Sequence, residues 1–195
     1  MDRNPGERLA RLSGTIRRFA VALLVAALAG PALGAPAPVG PEKAYRDAAR
    51  AHGISVGPTI AKDVVYVFFD PQCPHCAALW QAAKPLLGEV RMVWIPVAFL
   101  DSLSAPQGAA LLGAEDPGAA LGAHETRVAR YDYGAMPAKV TPALLRAVKA
   151  NTRLWIGIGA DVVPYVLYVN ARDGKAGVIE GRVPTAELKD RLGLP

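Results

Sequence analysis

One junction constrains this chain more than any other stretch. Six β-branched or aromatic residues, VVYVFF at positions 64–69, run into Asp70-Pro71-Gln72 and then into Cys73-Pro74-His75-Cys76. Such an apolar run, bounded by Asp residues and an Asp-Pro turn, predicts a strand buried on both faces. From Pro74 to Leu87 the pattern is helical, with Ala77, Leu79, Trp80, Ala83, Leu86 and Leu87 as its apolar face. Cys73 and Cys76 are the two cysteines of the chain, so no disulfide framework can be built from them.

The placement of the pair points to chemistry. Cys73 is expected at a helix N-terminus, where unpaired amides and the helix dipole favour an anion, so its thiolate is stabilised. Pro74 suits the first helical turn because its missing N–H costs no bond. His75, as an imidazolium, would lower the Cys73 pKa further. A low-pKa thiol is also a good leaving group, which makes a Cys73–Cys76 disulfide easier to reduce. Cys76 lies one turn deeper, as suits a resolving thiol. Three blander readings stand beside this one. A structural metal site wants four soft ligands, and no second cysteine pair exists. A copper- or haem-handling site is a further reading. A structural disulfide across so short a loop would stabilise little. Redox chemistry is the preferred reading, with no cofactor and no metal.

The first 37 residues carry a different signal. Arg8, Arg11, Arg17 and Arg18 precede the apolar run Phe19–Ala29, which Pro31 and Gly34 break before small residues follow. That is the layout of a secretory leader, with cleavage expected after Gly34 or Ala37; an uncleaved membrane anchor is the alternative. Residues 1–37 hold five Arg and two acidic residues, leaving 17 basic and 15 acidic residues beyond them. The high isoelectric point therefore comes mainly from the leader, and nucleic acid is not indicated as a partner. An apolar content of 52% with 20% charged residues excludes a wholly disordered chain.

Beyond the leader, residues 38–53 are expected to be an N-terminal helix and linker, with Glu42–Ala51 helical. Residues 54–195 form the main domain. His52–Lys62 reads as strand fragments and turns, and Val90–Val97 as a second strand that Pro96 places at an end or an edge. Helices are expected over Ser104–Leu112, Pro117–Arg130 and Pro142–Ala150. Asn151 should cap a separate short helix ending at Gly157 or Gly159. A third strand, Tyr165–Asn170, should turn at Asp173-Gly174 into a fourth, Lys175–Glu180, before a closing helix over Pro184–Leu192. Strand, helix, strand, helices, hairpin and helix describe an α/β fold: a mixed central sheet with helices on both faces and a helical insertion at about 102–158 between the second and third core strands.

The segment FFDPQCPHCAALW resembles the active-site region of thioredoxin-fold proteins of the periplasmic Dsb group, and most closely the DsbG/DsbC catalytic domain. The resemblance runs through Trp94-Ile95-Pro96-Val97, the helical section and Val163-Pro164, covering residues 54–193. It implies a thioredoxin-like fold and a thiol-disulfide oxidoreductase. It implies Cys73 as the attacking and Cys76 as the resolving thiol, Pro164 as a cis-proline facing them, and Val163 as a contact for the cysteines or a bound peptide. From the residues alone, Pro164 is a strand-start proline, ordinarily trans. Asp70 is read as a turn residue in preference to a charge acting on Cys76. Trp80 is read as helix packing, and Trp94 and Trp155 as core in preference to subsite walls.

The resemblance departs at the N-terminus, where residues 38–53 leave no room for the family's dimerisation domain, so a monomer is expected. The Pro-His dipeptide and the Val before Pro164 resemble DsbA instead. The implied partners are protein thiols and disulfides in the periplasm and a membrane redox partner, DsbB-like for an oxidase or DsbD-like for a reductase. The direction of exchange is not legible. A non-enzymatic thioredoxin-fold chaperone or copper-delivery module is the alternative from another class, and a sulfenic-acid reductase is a third option within the enzyme class.

Overall fold

The computed structural model describes residues 39–61, 64–134, 136–137 and 140–195. The leader expected over residues 1–37 lies outside the described residues. The elements in chain order are α1 (Pro41–Ala48), β1 (Ile54–Val56), β2 (Val64–Phe69), α2 (Pro74–Ala83), a 3-10 turn (Lys84–Leu86), β3 (Arg91–Pro96), α3 (Ser104–Leu112), α4 (Pro117–Val128), α5 (Pro142–Gly157), β4 (Tyr165–Val169), β5 (Ala176–Glu180) and α6 (Thr185–Leu192). Four of the helices begin on a proline, whose fixed φ and missing N–H suit that position. Side chains cap three N-termini: Cys73 at α2, Asp116 at α4 and Thr141 at α5.

The five strands lie in the order β1-β3-β2-β4-β5. β2 and β3 are parallel, joined by α2 as the crossover. β4 runs antiparallel to β2, and β5 antiparallel to β4. β1, foreshadowed only as strand fragments, pairs antiparallel with β3. Pro96 ends β3, which lies inside the sheet, so of the two positions expected for it the end holds. The β4–β5 turn places Gly174 at φ 73°, a left-handed conformation that glycine takes without steric cost.

The pleat sorts the core into two layers. Val65, Val67, Phe69, Met92, Trp94, Val166 and Tyr168 face one side, where Leu79, Trp80, Leu121 and Leu188 from α2, α4 and α6 cover them. Phe68, Ile95, Tyr165 and Leu167 face the other, against Ala44 and Ala48 of α1 and Trp155 of α5. Helices of this length are marginal alone, so tertiary burial holds them. Each large apolar side chain contributes about 1.5–3 kcal/mol. This is a thioredoxin-like α/β fold, with α3, α4 and α5 inserted between β3 and β4.

One expected boundary is corrected. Residues 142–157 form a single helix, and Asn151 is no cap. Its buried side chain accepts from His52 N (3.0 Å) and donates to His52 O (2.8 Å) and Pro96 O (3.0 Å). An Asn so fully engaged by tertiary partners does not compete with its own helix backbone, which is why the helix continues through it.

Candidate functional site

The parallel β2–α2–β3 unit aims the N-terminus of α2 at the loop leading into β4. Cys73 is the N-cap of α2, and its Sγ accepts from the Cys76 N–H at 3.3 Å. The same sulfur lies 3.7 Å from Val163 O, to which its thiol donates. The Val163–Pro164 peptide bond is cis. Its loop is held by Trp155, whose indole N–H donates to Val162 O (3.1 Å), and by Gly181 N–H donating to Pro164 O (2.8 Å). The Cys73–Cys76 turn and the Val163–Pro164 bond, separated by 90 positions between Cys73 and Val163, are thus neighbours.

Both cysteines are free thiols, and both are buried: Cys73 is 3% exposed and Cys76 0%. Cys73 is therefore more covered than a freely reachable sulfur would be. Their environments nevertheless push them apart. The Cys76 thiol hydrogen bond holds the Cys73 pKa below its ordinary value; burial opposes this, and the backbone N–H groups of Cys76 and His75 add to the lowering. Burial drives the Cys76 pKa well above the ordinary thiol range, and the proximity of Cys73 and Glu125 raises it further. His75 thus contributes its main-chain amide, while its side chain is exposed at the rim.

Asp70 acts as a turn residue, and as more than that. It is wholly buried, and its carboxylate accepts from Gln72 N (2.8 Å), Ser104 Oγ (2.7 Å), Phe99 N (2.8 Å) and Leu100 N (2.9 Å). Its carbonyl accepts from Cys73 N (2.9 Å). The turn before the cysteines is thereby fastened to the start of the helical insertion. Gln72 also donates to Gln107 and to Tyr133 O. His124 Nε2 donates to Pro71 O (2.7 Å), and burial pushes the His124 pKa down.

Reasoning from the sequence missed Glu125. This α4 residue is 0% exposed, and neither carboxylate oxygen has a hydrogen-bond partner among the described residues. Burial raises its pKa well above the usual carboxylate range, helped by the neighbouring Cys73 and Asp70. The signal was there: Leu121, Glu125 and Val128 keep an i, i+4, i+7 spacing, and all three are buried.

Beside the cysteines lies a cavity of about 270 Å³ lined by Pro74, His75, Ala78, Ala129, Tyr131 and Arg182. Tyr131 stands 76% exposed at its rim with φ 60°, a left-handed conformation that costs a non-glycine residue about 1–2 kcal/mol.

A family model described as Thioredoxin matches residues 49–132. Over 142 residues the chain is 32% identical to the thiol:disulfide interchange protein DsbG of Pseudomonas aeruginosa, covering 72% of this chain. It spans about half the length of that relative, 55%. Among solved structures, Proteus mirabilis ScsC in a compact conformation aligns with TM-score 0.65 at 21% identity, over 96% of this chain and 95% of that one. A periplasmic thioredoxin-like protein from Salmonella enterica serovar Typhimurium aligns with TM-score 0.57 at 18% identity, over 72% and 88%. The structural likenesses speak for the fold, which is thioredoxin-like, and in sequence the chain is similar to the thiol:disulfide interchange protein DsbG over the half of that protein that it spans.

Proposed function

We propose that this protein is a thiol-disulfide oxidoreductase that works on extracytoplasmic proteins through Cys73 and Cys76. The observation that carries the reading is the split environment of the two sulfurs. One caps a helix, accepts an N–H and sits 3.7 Å from the carbonyl before a cis-proline; the other is sealed beneath it. Kinship with a protein named for thiol:disulfide interchange supports the same reading.

Exchange follows from this chemistry. Acting as reductant or isomerase, the Cys73 thiolate attacks a client disulfide, forming a mixed disulfide and expelling a client thiolate. Cys76 then attacks Cys73 Sγ, closes the Cys73–Cys76 bond and releases the second client thiolate. Oxidation runs the same steps backwards. Pro74, His75 and Pro164 shape the surroundings of the attacking sulfur, and Val163 presents backbone to an extended client segment. The cavity rimmed by Tyr131 and Arg182 offers a place for client side chains. A membrane oxidant or reductant restores the pair after each cycle. The leader-like residues 1–37 and the periplasmic setting of the Salmonella relative support work in the periplasm.

Trapping tests the reading. Incubated with a disulfide-bonded client, the Cys76→Ser variant should accumulate a covalent adduct at Cys73 that dithiothreitol dissolves. The Cys73→Ser variant should form none. An adduct that forms equally well without Cys73, or no adduct with Cys76→Ser, contradicts it.

A further inference from the structure

We propose that Glu125 exchanges a proton with Cys76 across the α2–α4 interface each time the disulfide forms or breaks, a role that rests on the oxidoreductase reading above. The two helices meet at Gly122, where a Cβ would stand 3.3 Å from Trp80 Cζ2. Trp80 lies one turn beyond Cys76 on α2, and Glu125 one turn beyond Gly122 on α4. Residues three and four apart share a helix face, so Glu125 is on the α4 face that meets α2, and Cys76 on the α2 face that meets α4. His124 Nε2, bonded to Pro71 O at 2.7 Å, fixes the same stretch of α4 against the turn before Cys73.

Cys76 is wholly buried, so its proton needs a partner inside the protein. Three acidic residues are buried among those described: Asp47, Asp70 and Glu125. Asp47 of α1 is paired with Lys43 and with Arg50 just beyond the helix end. The oxygens of Asp70 are engaged by four donors. His124 has its Nε2 committed to Pro71 O. Among the described residues, Glu125 alone of the three acids keeps both oxygens without a hydrogen-bond partner. An isolated buried carboxyl is costly unless a function retains it. The ionisable groups acting on it are Cys73, Cys76 and Asp70; each adds negative charge when ionised and favours the protonated carboxyl.

The proton balance closes in both directions. In oxidation, a client thiolate attacks Cys73 Sγ of the enzyme disulfide. A client–Cys73 bond forms, the Cys73–Cys76 bond breaks, and its electron pair passes to Cys76 Sγ. The Glu125 carboxyl gives that sulfur its proton and becomes a carboxylate. A second client thiolate attacks the client sulfur, closes the client disulfide and frees the Cys73 thiolate; Glu125 regains a proton from solvent. In reduction the same steps reverse: Glu125 first releases its proton to solvent in the mixed disulfide, its carboxylate then takes the Cys76 proton as Cys76 attacks Cys73 Sγ, and the client thiolate leaves.

The test compares wild type with Glu125→Gln and Glu125→Asp, following resolution of a Cys73–peptide mixed disulfide by rapid mixing from pH 5 to 9. Resolution in Glu125→Gln should slow by about a hundredfold near neutral pH. Its rate should then follow Cys76 ionisation alone, and Glu125→Asp should restore part of the rate. A Glu125→Gln profile matching wild type, or Glu125→Asp as slow as Glu125→Gln, overturns the proposal. If wild type forms no mixed disulfide, the oxidoreductase reading fails instead. Should the variants not fold, difference infrared spectroscopy of wild type with isotope-labelled glutamate decides. Followed in time after mixing the oxidised enzyme with client thiol, a protonated-carboxyl band that bleaches as the mixed disulfide forms and returns with the dithiol supports the proposal, and a band unchanged throughout the reaction overturns it.

Discussion

At Cys73, burial opposes ionisation while a thiol and two backbone N–H groups favour it, and the donors win. At Glu125 burial acts without such donors, and the carboxyl stays protonated far above its usual range. The sign of the consequence follows from linkage. Above about pH 4.3 the unfolded chain loses the Glu125 proton while the folded chain keeps it. The native state then binds more protons, so this residue's contribution falls as pH rises, by about 1.4 kcal/mol per unit, until the raised native pKa is reached. Glu125→Gln removes that slope. Urea denaturation across pH 4–8 should therefore show the variant gaining on wild type as pH rises; parallel curves would contradict the assignment. The cysteine pair was legible because its signal is local: a strand, a turn and CxxC in one run. Glu125 was not, because a lone Glu on a helix ordinarily reads as solvated, and only the face shared with Leu121 and Val128 marks it. His75 was legible in position but not in its means, since an exposed imidazole leaves the main-chain N–H as its contribution to Cys73.

Among the elements, the insertion α3–α5 is tied to the redox turn by buried polar staples. Asp70 binds the chain just before α3 and Ser104 at its start, while His124 of α4 reaches Pro71. Asp70→Ala would strand four donors, at a cost of about 3–5 kcal/mol in chemical denaturation. In the folded fraction the Cys73 alkylation midpoint should also fall, because the charge of Asp70 raises the Cys73 pKa. Unchanged stability together with an unchanged midpoint would contradict this view of the turn. Helix starts were readable from the prolines at positions 41, 74, 117 and 142. The continuation of α5 through Asn151 was not, because partners distant in sequence, His52 and Pro96, satisfy that side chain. The three residues of β1 gave too short a pattern to separate strand from turn, and pairing with β3 defines them.

For the molecule as a whole, the two sulfurs give the reduced form a peaked stability curve. The Cys73 pKa is lower in the folded than in the unfolded chain, so stability gained from it rises with pH from the native value up to the ordinary thiol value of about 8.5. Beyond that point the unfolded chain ionises Cys76 while the folded chain keeps it protonated, and stability declines. Thermal unfolding of the dithiol form of Glu125→Gln, which lacks the falling contribution of Glu125, should show this maximum across pH 6–10. Cys76→Ala should lose the declining limb that Cys76 supplies, and a decline of the same steepness in that variant would contradict the assignment. The α/β architecture itself was readable from element order, since strand–helix–strand fixes the parallel pair and the terminal hairpin fixes the antiparallel edge. What the order of elements did not disclose is how the loop before β4 meets the start of α2, a contact between residues 90 positions apart.

The central claim is that Cys73 is the sulfur that ionises and attacks. The most direct test alkylates the fully reduced protein with iodoacetamide from pH 4 to 10, with each modified cysteine assigned by mass spectrometry. Modification should fall on Cys73 first, with a midpoint below that of an ordinary cysteine, while Cys76 stays protected until the protein unfolds. Equal labelling of both sulfurs, or a Cys73 midpoint at the ordinary thiol value, would contradict the account.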